Sequence, residues 1–298
     1  MRTWLLVGLL IAVGCADNDA LEKRVQKLEK ELEASAQDRR ALERKLDELI
    51  GEFTSVRTLE RKLDDLAAKQ AVQPPPYRPR AAQPDPAKTY AVPIDGAPIE
   101  GRADAKVTMV WAMDYACPYC ERVRSTVAEL RRRYGNDLRV VYHQLVVHPA
   151  TATASALAIC AADKQGKFVR MDEALWEKSF KLRRFDKVGC ELDPGGCEVM
   201  NGLARDVGLD LPRFQRDMKV CDQSIRARQE ELKKLGANAT PTFFINGRYI
   251  SGARPALDFE AIIDEELRKA NERIAQGASQ KTYYEEWVLL NGEKLLAP

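Results

Sequence analysis

The chain has 298 residues, 45% apolar and 31% charged, with a formal net charge of +2. That length suits one sizeable domain with extensions, or two small ones. The near balance of charge excludes a nucleic-acid binder, which would concentrate basic residues on one face. The short basic run Arg131-Arg132-Arg133 is read as a solvated helix end favoured by the helix dipole.

The chain opens Met1-Arg2-Thr3, then runs apolar over residues 4–13 and reaches Gly14-Cys15. A basic start, a short apolar stretch and a small residue before the cut make a secretory signal. The apolar run is too short to span a bilayer as a helix, which needs about 20 residues. Ala12-Val13-Gly14-Cys15 resembles a bacterial lipoprotein box, with Ala12 where that family usually has Leu. The resemblance implies cleavage before Cys15 and lipidation of its sulfur, in residues 1–15. Ala16 after the cysteine then implies the outer membrane of a two-membrane cell, facing the periplasm.

From residue 21 an apolar side chain recurs every seven positions: Leu21, Leu28, Leu42, Leu49, Val56 and Leu63, with Ser35 as the gap. A second series, Val25, Leu32, Leu46 and Phe53, is offset by four, and Arg39, Glu60 and Ala67 complete it. Alternating steps of four and three predict a coiled coil. Ser35 and Arg39 fall in one polar layer, the kind that sets register at a cost in stability. Residues 19–72 are therefore expected to be an oligomerisation stalk on the order of 75 Å long at ~1.5 Å per residue. Dimer and trimer both stay open. Residues 73–93 hold Pro74-Pro75-Pro76, Pro79, Pro84, Pro86 and Pro93, and are expected to be an extended linker.

An α/β domain is expected over residues 94–276. Residues 107–111 read as a buried strand, and Cys117-Pro118-Tyr119-Cys120 follows. A helix over 121–134, stopped by Gly135, and a strand over 138–143 come next. Residues 151–235 read as mainly helical. Strands 242–245 and 248–251 flank Asn246-Gly247, a strong hairpin signal. A helix over 256–275 closes the domain, leaving a tail, 277–298, with Tyr283, Tyr284 and Trp287 to dock on the domain or a neighbour.

Disulfide exchange needs a thiolate to attack a disulfide sulfur and a second thiol to release the mixed product. Cysteines with two residues between them fit one helical turn. Cys117 is expected at the helix N-terminus, exposed, where the dipole and free N–H groups stabilise a thiolate. Cys120 is expected one turn in, shielded. Pro118 fits the first turn, which has no N–H partner to lose, and Pro118 and Tyr119 are expected to tune the reduction potential. Setting Cys15 aside, six of the seven cysteines remain, an even set that reads as disulfides in an exported chain. Cys190 and Cys197 flank a turn-rich loop that a local bridge is expected to close, with buried free thiols as the alternative. With two histidines in all, and with neither structural pair at CxxC spacing, no metal site is expected.

The strand before the CxxC, Asp114-Tyr115-Ala116-Cys117-Pro118-Tyr119-Cys120, His148-Pro149, Gln165-Gly166-Lys167-Phe168 and the run from Leu235 through Ala239-Thr240-Pro241-Thr242-Phe243-Phe244-Ile245 to Gly247 resemble the DsbA-like family of thiol–disulfide oxidoreductases. The resemblance implies a thioredoxin fold with a helical insertion, here preceded by a long N-terminal coiled-coil helix. It implies a cis Thr240–Pro241 bond setting the Thr240 backbone against Cys117, and a bridge between Cys160 and Cys221. It implies no cofactor, a membrane redox partner, and unfolded or misdisulfided exported proteins as substrates. The family often carries an acid six residues before the first cysteine; that place is Trp111, with Asp114 nearer but read as pointing elsewhere. His148 is read as a loop residue or a shaper of the groove. Oxidase and isomerase both stay open, and a homo-oligomeric stalk favours the isomerase. The rivals are a dedicated reductase and a lipid-anchored scaffold whose Cys117–Cys120 pair holds Cu(I), which soft thiolates select.

Overall fold

The computed structural model describes residues 4–69 and 83–296, with side chains from residue 22 onward apart from a few positions near the end of the first helix. It comprises two units, 1–79 and 80–298. In the first, a single helix α1 runs Trp4–Lys69. Along it Leu28, Leu32, Leu42, Leu46, Leu49, Phe53 and Val56 are exposed. The side chains of Cys15 and the lipoprotein box, and linker residues 70–82, lie outside the described residues. Among the described residues no helix is long and apolar enough to cross a membrane.

The second unit holds a five-stranded sheet: β1 Ile99–Glu100, β2 Val107–Met113, β3 Leu138–Gln144, β4 Thr242–Ile245 and β5 Arg248–Ser251. Its order is β1-β3-β2-β4-β5, with β2 and β3 parallel and the other pairs antiparallel. Helix α2, Pro118–Tyr134, makes the crossover from β2 to β3. The insertion between β3 and β4 holds α3 Pro149–Asp163, α4 Phe168–Ala174, α5 Glu198–Asp206 and α6 Leu211–Lys234, and α7 Ala256–Ala275 closes the fold.

All seven residues of β2 are buried, as a central strand covered on both faces requires. Side chains alternate across a strand. Met109, Trp111 and Met113 therefore join Val123, Val127, Phe243 and Phe259 in one core, while Val110 and Ala112 join Val141, Phe244, Leu232 and Leu235 in a second.

That second core takes in residues from both ends of this unit. Tyr90, Val92 and Ile94 are buried in it, so part of the segment read as linker 73–93 packs on the sheet. Tyr284 and Val288 are buried in it too, so the segment after α7 docks on this domain, one of the two places expected for it. The physical reason is the open face of the sheet, which α6 alone leaves uncovered. Backbone bonds tie the two ends together: Ala91 N–H to Glu293 O at 2.9 Å and Glu293 N–H to Thr89 O at 2.8 Å. The Tyr284 hydroxyl donates to Val92 O at 2.7 Å. Gly247, at φ 83°, makes the hairpin turn, and a Cβ there would lie 2.6 Å from Tyr90 O.

Two disulfides brace the insertion. Cys160–Cys221 joins α3 to α6 across a sequence separation of 61, and Cys190–Cys197 closes a loop with a separation of 7. Loop-closure entropy grows with loop length, giving about 4 kcal/mol for the first and about 2 kcal/mol for the second. Urea denaturation of Cys160→Ala/Cys221→Ala should therefore show a larger loss than Cys190→Ala/Cys197→Ala. Equal or reversed losses would refute this entropic account. Asp186, Cys190 and Cys197 also form the one three-ligand group among the described residues close enough for a metal. Its sulfurs are joined to each other, and the Asp186 carboxylate accepts the Val199 and Met200 N–H groups at 2.8 and 2.9 Å, so the group serves as a bridge and a helix cap.

Candidate active site

Cys117 is the N-cap of α2, with extended backbone at φ −85° and ψ 117°, and Pro118 occupies the first turn. Pro118 fits because that turn has no N–H partner to lose. Both cysteines are free thiols. Cys120 is fully buried, and Cys117 is 3% exposed rather than open as the sequence suggested. The cover is the loop before β4. Its Thr240–Pro241 peptide is cis, and the Cys117 thiol donates to the Thr240 carbonyl at 3.4 Å. Pro118 and Tyr119 are exposed beside it, with the Arg122 guanidinium 5.1 Å from the Tyr119 ring centre.

The electrostatics of the two sulfurs diverge. Cys117 is pulled from its ordinary 9.0 down to about 5, chiefly by a hydrogen bond from the Cys120 thiol, against the opposing effect of burial. Thr240 and the backbone at Cys120 and Tyr119 add to the lowering. Burial first, and the neighbouring Cys117 second, push Cys120 far above the ordinary thiol range. At neutral pH this arrangement holds a thiolate at 117 and a protonated thiol at 120, the division of labour that exchange chemistry needs.

Position 111 offers no acid. Trp111 is buried, stacked on Phe243 with ring centres 5.6 Å apart, and its Nε1–H has no partner. Asp114 does turn elsewhere, and its destination is specific. One carboxylate oxygen accepts Ala116 N–H at 2.7 Å; the other accepts Val147 N–H at 2.7 Å and His148 N–H at 2.8 Å and lies 3.1 Å from His148 Nδ1. Its carbonyl accepts Cys117 N–H at 3.1 Å. Asp114 thus pins the loop before α2 to the loop before α3, and His148 is part of that clasp.

One half-buried acid escaped the sequence reading. Asp172 in α4 accepts the Tyr115 hydroxyl at 2.7 Å and Trp176 Nε1–H at 3.1 Å, with Arg124 3.9 Å away. Burial raises its carboxyl above the usual range. No motif marks it, since its partners come from three separate segments. The only available hint was an Asp beside apolar residues in a helical stretch.

Comparisons with known proteins bear on the fold. The thioredoxin family model Thioredoxin_4 matches residues 95–265. The Na(+)/H(+) antiporter NhaA of Herminiimonas arsenicoxydans is 30% identical over 172 residues, which are 57% of this chain and 25% of that protein. The match spans about a quarter of that relative, and ion transport is said of that protein alone. Among solved structures, oxidised BdbD from Bacillus subtilis superposes with TM-score 0.53 at 20% identity, covering 63% of this chain and all of that one. α-DsbA1 from Wolbachia pipientis gives TM-score 0.51 at 16% identity, covering 61% and 96%. These two likenesses concern the fold. A family model spanning more than half of the chain, a parallel β2–β3 pair crossed by α2 and a Cys117–Cys120 turn at the head of that helix make this chain a member of the thioredoxin family, with a helical insertion between β3 and β4.

Proposed function

We propose that this protein is an exported, lipid-anchored thiol–disulfide oxidoreductase that acts on disulfides of other exported proteins through Cys117 and Cys120. The observation that carries the reading is the Cys117 sulfur at the head of α2, held against Thr240 O with its pKa drawn to about 5. In the proposed cycle the Cys117 thiolate attacks a substrate disulfide. The substrate S–S bond breaks, one substrate sulfur leaves as thiolate, and a mixed disulfide forms. The Cys120 thiol then gives up its proton to the departing sulfur and attacks Cys117. The second substrate thiol is released and the Cys117–Cys120 bond closes, two electrons having moved from enzyme to substrate. The reverse sequence oxidises a dithiol substrate. The Thr240 carbonyl suits an extended substrate backbone pairing like an added strand. A membrane redox partner would reset the pair, and the cleaved signal with a lipidated Cys15 would hold the enzyme on the periplasmic side of the outer membrane.

Isomerisation is the finer reading. The apolar stripe of α1 is exposed in the single chain, which favours association of several copies and so several active sites around one misfolded substrate. Recovery of activity from a scrambled-disulfide substrate, in a mild glutathione buffer, tests both levels. Recovery by wild type and none by Cys117→Ala is the expected result. Deleting residues 19–72 should yield a monomer by light scattering and weaken recovery. An unchanged mass would refute the stalk, and no recovery at all would leave oxidase, reductase or thiol-metal module.

A further inference from the structure

A second site lies away from the cysteines of α2. Beyond the short strand β1, the end of β3, the 95–98 loop and helices α3 and α6 enclose a cavity of about 420 Å³. That volume falls inside the range of small-ligand sites, about 300–1,000 Å³. Its apolar wall is Ile159, Ile225 and the bridged Cys160. Its polar lining includes Asp95, Tyr142, His143, Lys164 and Ser224, and three further groups decide what it can hold. Gln144, the last residue of β3, is 7% exposed, and neither its amide nitrogen nor its amide oxygen has a hydrogen-bond partner. A buried amide left without partners on both sides is costly, and native structures rarely keep one without a reason. Asp163, at the end of α3, is half-buried, and its carboxyl accepts no hydrogen bond among the described residues. Arg228 spends one nitrogen on Glu231 at 2.9 Å and another on the Asp95 carbonyl at 2.7 Å, and its guanidinium carries further donors.

These three groups ask for complementary ones. The Gln144 amide offers a donor beside an acceptor, and a peptide group presents the matching pair. The Asp163 carboxyl, which accepts no hydrogen bond and has the Lys164 ammonium as a charged neighbour, matches a ligand ammonium. A guanidinium matches a carboxylate. We infer that this cavity binds a di- or tripeptide with free termini, its peptide group on Gln144, its ammonium on Asp163 and its carboxylate on Arg228. The site is separate from Cys117, and the inference does not depend on the exchange chemistry.

Isothermal titration calorimetry of the full chain with triglycine, and with N-acetyl-triglycine amide, tests it. Triglycine should bind saturably at one site, tighter than about 1 mM, with the capped peptide at least about tenfold weaker because both charged ends are gone. Asp163→Asn should weaken triglycine about tenfold while leaving the capped peptide unchanged, and Gln144→Met should abolish binding of both. Cys117→Ala should bind like wild type. The absence of saturable heat would overturn the inference, as would equal affinity in wild type and Asp163→Asn. Loss in Cys117→Ala with none in Asp163→Asn would place the peptide in the catalytic groove and overturn it equally. If Gln144→Met does not fold, Asp163→Asn and Arg228→Gln decide.

Discussion

Cys117→Ala should abolish disulfide exchange, and Cys120→Ala should leave the protein trapped in mixed disulfides with its substrates. Both expectations come from the opposed electrostatics of the pair. With its pKa near 5 against an ordinary 9.0, Cys117 is almost wholly thiolate at neutral pH. At pH 7 that is roughly a hundredfold more thiolate than an unperturbed thiol supplies. Cys120, buried and pushed the other way, keeps its proton until the mixed disulfide forms. The alkylation rate of the reduced protein should stay level from pH 9 downward and fall with a midpoint near 5. The same shift links to stability. Because the folded value lies below the ordinary one, the thiolate's stabilisation of the reduced protein is fully present above about pH 9, shrinks as pH falls, and is gone below about 5. An alkylation midpoint above pH 8, or turnover in Cys117→Ala, would sink this mechanism.

The second large effect belongs to Asp114. Asp114→Ala should cost about 3–5 kcal/mol, since it strands three backbone N–H groups at about 1–3 kcal/mol each with partial relief from water. The groups are those of Ala116, Val147 and His148, all within 2.8 Å of a carboxylate that is itself fully buried. The loss should appear in the urea midpoint of both redox forms. A loss below about 1 kcal/mol would mean that the clasp is ornamental.

How far the residues alone reach can be judged element by element. Strands 242–245 and 248–251 and helix 256–275 stand where their turn signal and periodicity put them. Helix α2 begins at Pro118 rather than 121, because the CxxC turn is already helical. Strand β1 was illegible: with two residues it has no period to read, and it exists because the edge of β3 needs a partner. The long helix α1 was visible in its heptads, whereas the oligomer they suggest is a property of several chains.

By itself the sequence determined the order of elements, the CxxC turn at a helix start, the Asn246-Gly247 hairpin and the exposed heptad stripe. Each depends on residues a few positions apart, where period and turn chemistry act directly. The tertiary structure alone decided that the carbonyl of Thr240, 123 residues from Cys117, lies 3.4 Å from the sulfur and accepts a hydrogen bond from its thiol form. It also decided that the Asp114 carboxylate reaches across to Val147 and His148, and that residues 84–94 and the C-terminal segment seal the second face of the sheet. These contacts come from segments far apart in the chain, and only the packing of a whole sheet against its helices brings such segments within hydrogen-bond range.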